Sequence, residues 1–433
     1  MRRLRERFHR ASPQLLIYFL ALIFMGIASG CFQTGYNNFL DDRFHLGADA
    51  RGMLEFPREL PGFLVALFTG LLAFLPETRV AALSCLATFL GMVGLGFVDR
   101  HAGSAQAWPW MVVFTVLWAI GTHVIMPVQS AIAVGLAKEE RAGRRLGQAS
   151  GVGAAAYILG AAFVWVVSLG PRIPPYWLIF IFGGAMALVA AVLFLRMREV
   201  GRQTARPRLV WHKEYWLYYT LSLLFGARKQ IFITFGPWVL IKIFHQSVST
   251  FAILGILNSL LTVFTSPALG NLIDRWGERR MLMLDGLLLC LLCLGYGGAH
   301  LLGAWGLYLA FTCFVLDQVM FGFGNARVTY LAKIAREPEH VTASLSLGVS
   351  LDHAVSMTLP ALGGWVWMRY GHAYVFYGAA ALALLNMAFA SLIRRPERPA
   401  SALRPPDAPT GEAAGPAPTT EAAADLARAH GKE

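Results

Sequence analysis

Charged residues are scarce in this sequence. Only 14% of the 433 residues are Asp, Glu, Lys or Arg, whereas 56% are hydrophobic, and the mean hydropathy is +0.54. A soluble globular domain carries about 25% charged residues. The deficit excludes an ordinary soluble domain, and the many apolar runs of about 20 residues are typical of transmembrane helices. We therefore expect an all-α polytopic membrane protein.

Cysteine is also scarce, and its placement excludes two classes of site. All five cysteines lie in apolar runs: Cys31, Cys85, Cys290, Cys293 and Cys313. Cys290 and Cys293 have the spacing of a metal or redox site, but the surrounding "LLLCLLCLG" offers no charged or histidine partner. We expect these thiols to pack in the core, with no disulfide framework and no metal site.

Two further features are missing. "GFGNAR", Gly322 to Arg327, lies in an apolar run and not after a strand, so we expect no nucleotide site and no cofactor. The basic start "MRRLRERFHR" leads into a long apolar run without a small-residue cleavage pattern. We expect that run, Gln14 to Gln33, to be a signal-anchor first span and not a cleaved signal peptide.

What the sequence has in abundance is apolar runs, which predict twelve spans in two groups of six. The runs lie at 14–36, 52–75, 79–98, 109–136, 149–169, 176–196, 215–240, 249–270, 280–300, 304–332, 343–367 and 373–393. A basic segment at 197–214 separates an N-terminal six-helix bundle, 14–196, from a C-terminal one, 215–393. Residues 1–13 form a basic N-terminus. Residues 394–433 are rich in Ala, Pro, Thr and Glu, and we expect a disordered tail.

The distribution of Lys and Arg predicts the orientation. With the N-terminus in the cytoplasm, 27 of the 37 Lys and Arg fall in cytoplasmic segments, 6 fall outside and 4 lie within spans. Positive residues concentrate on the cytoplasmic side of membrane proteins. We therefore predict a multi-pass protein of the cell membrane, taken to be a bacterial inner membrane, with both termini cytoplasmic. The net charge of +12 then reflects topology and contact with anionic lipid, not a nucleic-acid partner.

A repeated segment relates the two predicted bundles. "GNLIDRWGERR", Gly270 to Arg280, follows the eighth span, and "GLLAFLPETR", Gly70 to Arg79, follows the second. The first stretch has the pattern G-x-L-x-D-R-x-G-x-R-R, and the second is a degenerate copy in which Phe74 replaces the Asp. Corresponding segments in two halves indicate a duplicated architecture.

With this repeat, its span count and its topology, the sequence resembles the major facilitator superfamily over about residues 14–393. The resemblance implies two pseudo-symmetric six-helix bundles around a central cavity, and no enzymatic activity. It also implies a gating latch on the cytoplasmic side that includes Gly270, Asp274, Arg275, Gly277 and Arg279. The G-x-x-x-G-P motif that drug–proton antiporters often carry is missing from span five.

Ionisable residues within spans are costly and usually face a cavity or one another. Two adjacent cations in span seven, Arg228 and Lys229, require counter-charges, and Asp317 and Asp352 are the candidates in the same half. We expect one cation to face the cavity and the other to pack against span eleven. The predicted substrate-binding residues are Arg228, Lys229, His123, Gln33, Asn37, Gln230 and Gln318. The predicted proton-coupling residues are Asp317, Asp352, His353, Glu55 and Glu59.

Three charges stand at the start of the second span. In "LEFPRELPGFLV", Glu55, Arg58 and Glu59 share one side of a helix whose early turns contain Pro57 and Pro61. One interpretation is an outer gate or proton-accessible ion cluster that faces the partner half, with Arg58 as a gating residue. The other is a salt bridge among hydrated lipid headgroups.

These observations favour a monomeric secondary transporter that works by alternating access and is driven by protons. The cations Arg58, Arg228 and Lys229 favour a small organic anion as substrate. The alternative is a proton-driven exporter of hydrophobic or cationic compounds, which would use Asp317, Asp352 and aromatic walls at Trp118, Phe225, Phe232 and Trp238. A non-transporting sensor or a membrane enzyme on the same fold is the alternative of another class.

Overall fold

The computed structural model describes residues 13–72, 74–137, 142–170, 173–198 and 211–394. Within these ranges the chain is helical and has no β-strand. The predicted basic N-terminus (but for Pro13), the tail from residue 395 and most of the predicted linking segment 197–214 lie outside the described residues. The domain boundaries stay predictions.

The first half of the bundle consists of eight helices that correspond to six predicted spans. They are α1 (Pro13–Phe44), α2 (Ala48–Met53), α3 (Glu55–Phe63), α4 (Val65–Leu71), α5 (Glu77–Arg100), α6 (Ala107–Gly135), α7 (Ala142–Val167) and α8 (Tyr176–Arg196). The second span is not one helix but the series α2, α3 and α4.

The second half likewise corresponds to six predicted spans. Its helices are α9 (Trp216–Lys242), α10 (Val248–Trp276), α11 (Glu278–Gly298), α12 (Ala304–Met320), α13 (Asn325–Ile334), α14 (Pro338–Tyr370) and α15 (His372–Ser391). A 3-10 turn at Phe321–Gly324 joins α12 to α13, so the tenth span is also a series. The structure describes nine helices that are long and apolar enough, by length and composition, to cross a membrane. The predicted fold class is confirmed.

The repeated segment differs from the prediction, in which the eighth span ended at residue 270 and the ninth began at residue 280. Helix α10 continues through Asp274 and Arg275 to Trp276, because no proline or other breaker interrupts "NLIDRW". Gly277 alone connects α10 to α11, and its φ is +80°. Glycine reaches positive φ without the steric cost of a Cβ, so this link favours glycine.

The two ends of the bundle differ in how the halves meet. We call the end with Pro13 and Arg394 the near end, and the end with Phe44 and Lys242 the far end. At the far end, Lys242 forms an ion pair with Asp41, and Asn38 donates a hydrogen bond of 3.0 Å to the Gln246 carbonyl. These contacts join the first half to the second.

The space around glycine residues shows the same difference between the two ends of the bundle. In the far half of the second span, a Cβ on Gly52 would collide with the backbone of Pro360 in the partner half. In the near parts of α4, α7 and α10, a Cβ would meet no atom within 4 Å at any of these positions: Gly70, Gly147, Gly151, Gly153 and Gly270. The interface between the halves is therefore closely packed at the far end, whereas these near-end faces are open.

Candidate functional site

The second span is broken where its charges lie. Leu54 and Leu64 are turn residues that separate α3 from α2 and α4. Pro57 occupies the first turn of α3, where an N–H has no helical partner, and Pro61 removes a hydrogen bond further on. Glu55, Arg58 and Glu59, together with Arg51 from α2, are all buried.

These four residues form a continuous ion-paired chain, which we call the span-two network. Arg51 Nη1 pairs with Glu55 Oε1, and Arg58 Nη2 lies 2.6 Å from Glu55 Oε2 and 2.9 Å from Glu59 Oε1. Two guanidinium groups thus neutralise two carboxylates. Buried charges persist only when they are paired in this way. The headgroup interpretation does not fit residues that are 0–7% exposed.

The span-two network contacts the partner half directly. Gln230 on α9 donates a hydrogen bond of 2.7 Å to Glu55 Oε2. His353 Nδ1 on α14 lies 3.0 Å from Glu59 Oε2, and His123 Nε2 on α6 lies 3.8 Å from the same oxygen. A carboxylate and two imidazoles therefore meet at the boundary of the halves.

Sequence reasoning missed Arg51, which it placed in an outer loop. Arg51 is 1% exposed, and its Nε donates a hydrogen bond of 3.2 Å to Asn37 Oδ1. The spacing of four residues to Glu55 was the available sign, because residues at i and i+4 share a helix face. Asn37 and Gln230, predicted to bind substrate, hydrogen-bond to the span-two network.

A second charge cluster lies within the C-terminal half. Arg228 is 3% exposed, with Nη1 3.1 Å from Asp317 Oδ1 and Nη2 3.5 Å from Asp285 Oδ1. Lys229 Nζ lies 2.7 Å from Asp352 Oδ1 on α14. The predicted partners Asp317 and Asp352 are therefore the ones found, and Lys229 is the cation that packs against span eleven. The prediction gave no role to Asp285.

Arg327 differs from the other cations of this cluster. No carboxylate of the described residues forms an ion pair with it, and its buried Nε has no hydrogen-bond partner among them. Its Cζ lies 3.7 Å from the centroid of the Phe225 ring, whose centroid is also 5.2 Å from Arg228 Cζ. Arg327 falls within the predicted tenth span, 304–332, but no role was predicted for it.

The remaining predicted residues lie apart from these clusters. Gln33 is exposed on α1, and Gln318 is half-buried on α12. Asp274, Arg275 and Arg279 are exposed at the near end, and within the described ranges none of them forms an ion pair. The latch that the resemblance implied stays a prediction.

Most of the aromatic residues proposed as cavity walls have another position. Trp118, Phe232 and Trp238 are each at most 4% exposed and pack within the cores of the halves, whereas Phe225 is half-buried beside Arg228. Of these four residues, only Phe225 has a partly exposed side chain in this structure, and the aromatic wall of the exporter alternative stays a prediction.

The chain is similar to known proteins in part of its sequence and in its fold. The family model described as Major Facilitator Superfamily matches residues 218–428. No curated protein compared matches the chain in sequence. A mutant form of the nucleoside transporter NupG superposes with a TM-score of 0.71 at 12% identity, over 88% of this chain and 100% of that one.

Two other solved structures show the same likeness. A D-xylose–proton symporter has a TM-score of 0.69 at 13% identity, over 87% of this chain and 96% of that chain. A bacterial homologue of the human lysosomal transporter Spinster, inward-facing and unoccupied, has a TM-score of 0.68 at 16% identity, over 88% and 97%. At these identities the likeness concerns the twelve-helix fold alone.

Proposed function

Because this chain belongs to the major facilitator superfamily, we propose that it is a secondary active transporter that moves a small solute by alternating access and uses protons as the driving ion. The observation that carries the proposal is the buried contact between Glu59 of the first half and His353 of the second, 3.0 Å apart, with His123 beside them. Family membership and fold favour a transporter over an enzyme.

Proton binding can be coupled to the opening of the far end through the contacts that this opening breaks. Opening the far end separates Glu59 from His353 and Glu55 from Gln230, and so leaves buried polar groups without partners. A proton on Glu59 removes the charge that Arg58 and the imidazoles stabilise, and so lowers the cost of separation. Proton binding and conformation then share a coupling free energy, which is the condition for one to drive the other.

We propose a small organic anion as the solute, with Arg327 as its first contact. The C-terminal cluster contains three cations and three carboxylates. Two of the carboxylates, Asp285 and Asp317, form ion pairs with Arg228. Lys229 has the third, Asp352, and Arg327 has none among the described residues. A planar guanidinium without a counter-charge can form two parallel hydrogen bonds to a carboxylate or a phosphate, which is bidentate binding.

Arg228 pairs with two aspartates, and we propose that one of these two carboxylates is a second proton-binding group. Two aspartates that share one arginine form a less favourable arrangement than one pair, so protonation of one of them relieves their repulsion. Anion binding at Arg327 and a proton on the Asp285–Asp317 pair would together keep the cluster neutral. In this proposal the near end faces the cytoplasm of a bacterial inner membrane, as the distribution of Lys and Arg favours.

Proteoliposomes with an imposed pH gradient test the proposal. We expect uphill accumulation of at least one member of a panel of mono- and dicarboxylates, and its loss when a protonophore collapses the gradient. Arg327→Gln should abolish accumulation, whereas Arg336→Gln, at an exposed arginine paired with Glu214, should leave it unchanged. Gradient-driven movement of organic cations would support the exporter instead, and no accumulation of any compound would contradict the transporter.

A further inference from the structure

We propose that Glu59, His123 and His353 form a binding site for a divalent transition-metal ion that bridges the two halves of the bundle. The three residues come from α3, α6 and α14, and one ligand atom of each lies within 4.8 Å of the other two. Metal–ligand bonds of about 2.0–2.2 Å in a tetrahedral site put ligand atoms roughly 3.3–3.6 Å apart. The distances from Glu59 Oε2 to the imidazole nitrogens, 3.0 and 3.8 Å, bracket that spacing.

The tautomer of His123 suits a metal ligand. Its Nδ1 lies 2.8 Å from the carbonyl oxygen of Ala119, which can only accept a hydrogen bond. Nδ1 therefore carries a hydrogen, which leaves Nε2, on the side of Glu59, as the atom that would coordinate a metal. Histidine ligands typically donate their other N–H to a carbonyl or carboxylate, which fixes the ring and raises its basicity.

The two oxygens of Glu59 are divided between two tasks. Oε1 forms an ion pair with Arg58 Nη2, 2.9 Å away, whereas Oε2 faces both imidazoles. Arg58 thus orients the carboxylate so that one oxygen is directed at the metal position. Its positive charge also weakens the hold on a cation, so binding is reversible and not that of a closed structural site.

Gly62 makes the convergence of the rings possible. It lies nearly one turn after Glu59 on α3, and a Cβ there would lie 2.5 Å from His353 Cε1 and 2.6 Å from His123 Cδ2. Any larger residue would push the imidazoles away from the carboxylate. The side chains of His123 and His353 are 14% and 13% exposed, which leaves access for the ion and for a water as a further ligand.

The donor set indicates the class of ion. Two imidazoles with one carboxylate suit Zn²⁺ or Fe²⁺, whereas Mg²⁺ and Ca²⁺ prefer oxygen ligands alone. His353 Nδ1 hydrogen-bonds to Glu59 in this structure, so a metal would take the place of that hydrogen, and the proton would move to Nε2 of the same ring or to solvent. The bound ion would hold the first half to the second and favour the conformation closed at the far end. This inference does not rest on the proposed transport, because binding is measured without a gradient.

Calorimetric titration of the tag-free, full-length protein in detergent with Zn²⁺ tests the site, with Co²⁺ absorption as a second readout. We expect one equivalent to bind, with Co²⁺ spectra typical of nitrogen and oxygen ligands. Glu59→Gln, His123→Gln and His353→Asn should each weaken binding at least about 10-fold, because even outer partners of metal ligands contribute 10- to 100-fold. The double variant His300→Gln, His372→Gln removes another histidine pair, with ring centroids 4.7 Å apart, and should bind like the wild type.

A variant that fails to fold does not leave the inference untested. In the wild type, Zn²⁺ should protect His123 and His353 from diethyl pyrocarbonate, as read by mass spectrometry, and Mg²⁺ should not. Equal modification with and without Zn²⁺ would overturn the inference. So would wild-type affinity in all three single variants. Loss of binding in the His300→Gln, His372→Gln variant would also overturn it, because it would indicate adventitious metal on other histidines.

Discussion

At the residue scale, paired charges govern this bundle. Glu55 is completely buried between Arg51 and Arg58, and it also accepts a hydrogen bond from Gln230. Coulomb attraction and hydrogen bonds offset the cost of removing these charges from water only while every member has its partner. Each substitution in the network therefore acts on more than one contact.

Glu55→Gln should destabilise the protein strongly. The substitution removes the charge of the carboxylate that pairs with both Arg51 and Arg58, and only Glu59 remains to balance these two buried guanidinium groups. Breaking a buried ion pair costs about 3–5 kcal/mol. Unfolding in detergent, followed by near-UV circular dichroism, would measure the loss. Glu214→Gln removes an exposed partner of Arg336, 3.0 Å away, and should produce no measurable change. Equal stability of the two variants would contradict the role given to Glu55.

Gly62→Ala should impair gradient-driven transport without preventing membrane insertion. The added methyl group would lie 2.5–2.6 Å from both imidazoles and force them apart, and overpacking of this kind costs about 1–3 kcal/mol. Gly70→Ala is the matched control, because a Cβ at Gly70 meets no atom within 4 Å. Uptake in proteoliposomes should fall for Gly62→Ala alone. Wild-type uptake by that variant would remove the close approach of His123 and His353 from the mechanism.

At the element scale, the sequence predicts the helices better than their interruptions. Hydrophobicity locates the spans because about 20 apolar residues suffice to cross a bilayer. It does not report where a span is broken, so the prediction took 52–75 as one run where the structure has α2, α3 and α4. Pro57 and Pro61 were visible in the sequence, but the turns at Leu54 and Leu64 depend on tertiary packing.

The same limit explains the repeated segment. Its residues indicated a connection that recurs in both halves, yet polarity alone cannot distinguish a loop from a helix that continues beyond the apolar core. The structure extends α10 to Trp276 and leaves Gly277 as the single connecting residue.

Gly277→Ala should therefore destabilise the α10–α11 connection, whereas Gly270→Ala should not. Gly277 has φ +80° and ψ +161°, a backbone region that is essentially restricted to glycine, and another residue there costs about 1–3 kcal/mol. Gly270 is helical and faces open space, so alanine there should be neutral or should stabilise the helix by up to about 1 kcal/mol. Thermal unfolding of both variants in detergent checks this difference. Equal effects would contradict the requirement for glycine at 277.

At the scale of the whole molecule, the two halves meet differently at the two ends. The ion pair Asp41–Lys242 and the close approach of Gly52 to Pro360 hold them together at the far end, and the contact between Glu59 and His353 adds a carboxylate–imidazole link. Composition and repeat predicted two halves around polar residues. The sequence predicted Asp317 and Asp352 as partners of Arg228 and Lys229. It could not predict that Asp285 also pairs with Arg228 while Arg327 has no carboxylate partner among the described residues, because pairing depends on side-chain direction across several helices.

The most direct test of the account is the distance between the halves at the far end. Spin labels at Asp49 and Tyr370, exposed residues on opposite halves, would report it after substitution of the five buried native cysteines. Dipolar broadening of the continuous-wave spectrum measures a short distance, and double electron–electron resonance measures a long one. We predict one short distance at neutral pH and a second, longer population when Glu59→Gln mimics the protonated carboxylate. A distribution that stays short in that variant and at acidic pH would contradict alternating access controlled by this contact.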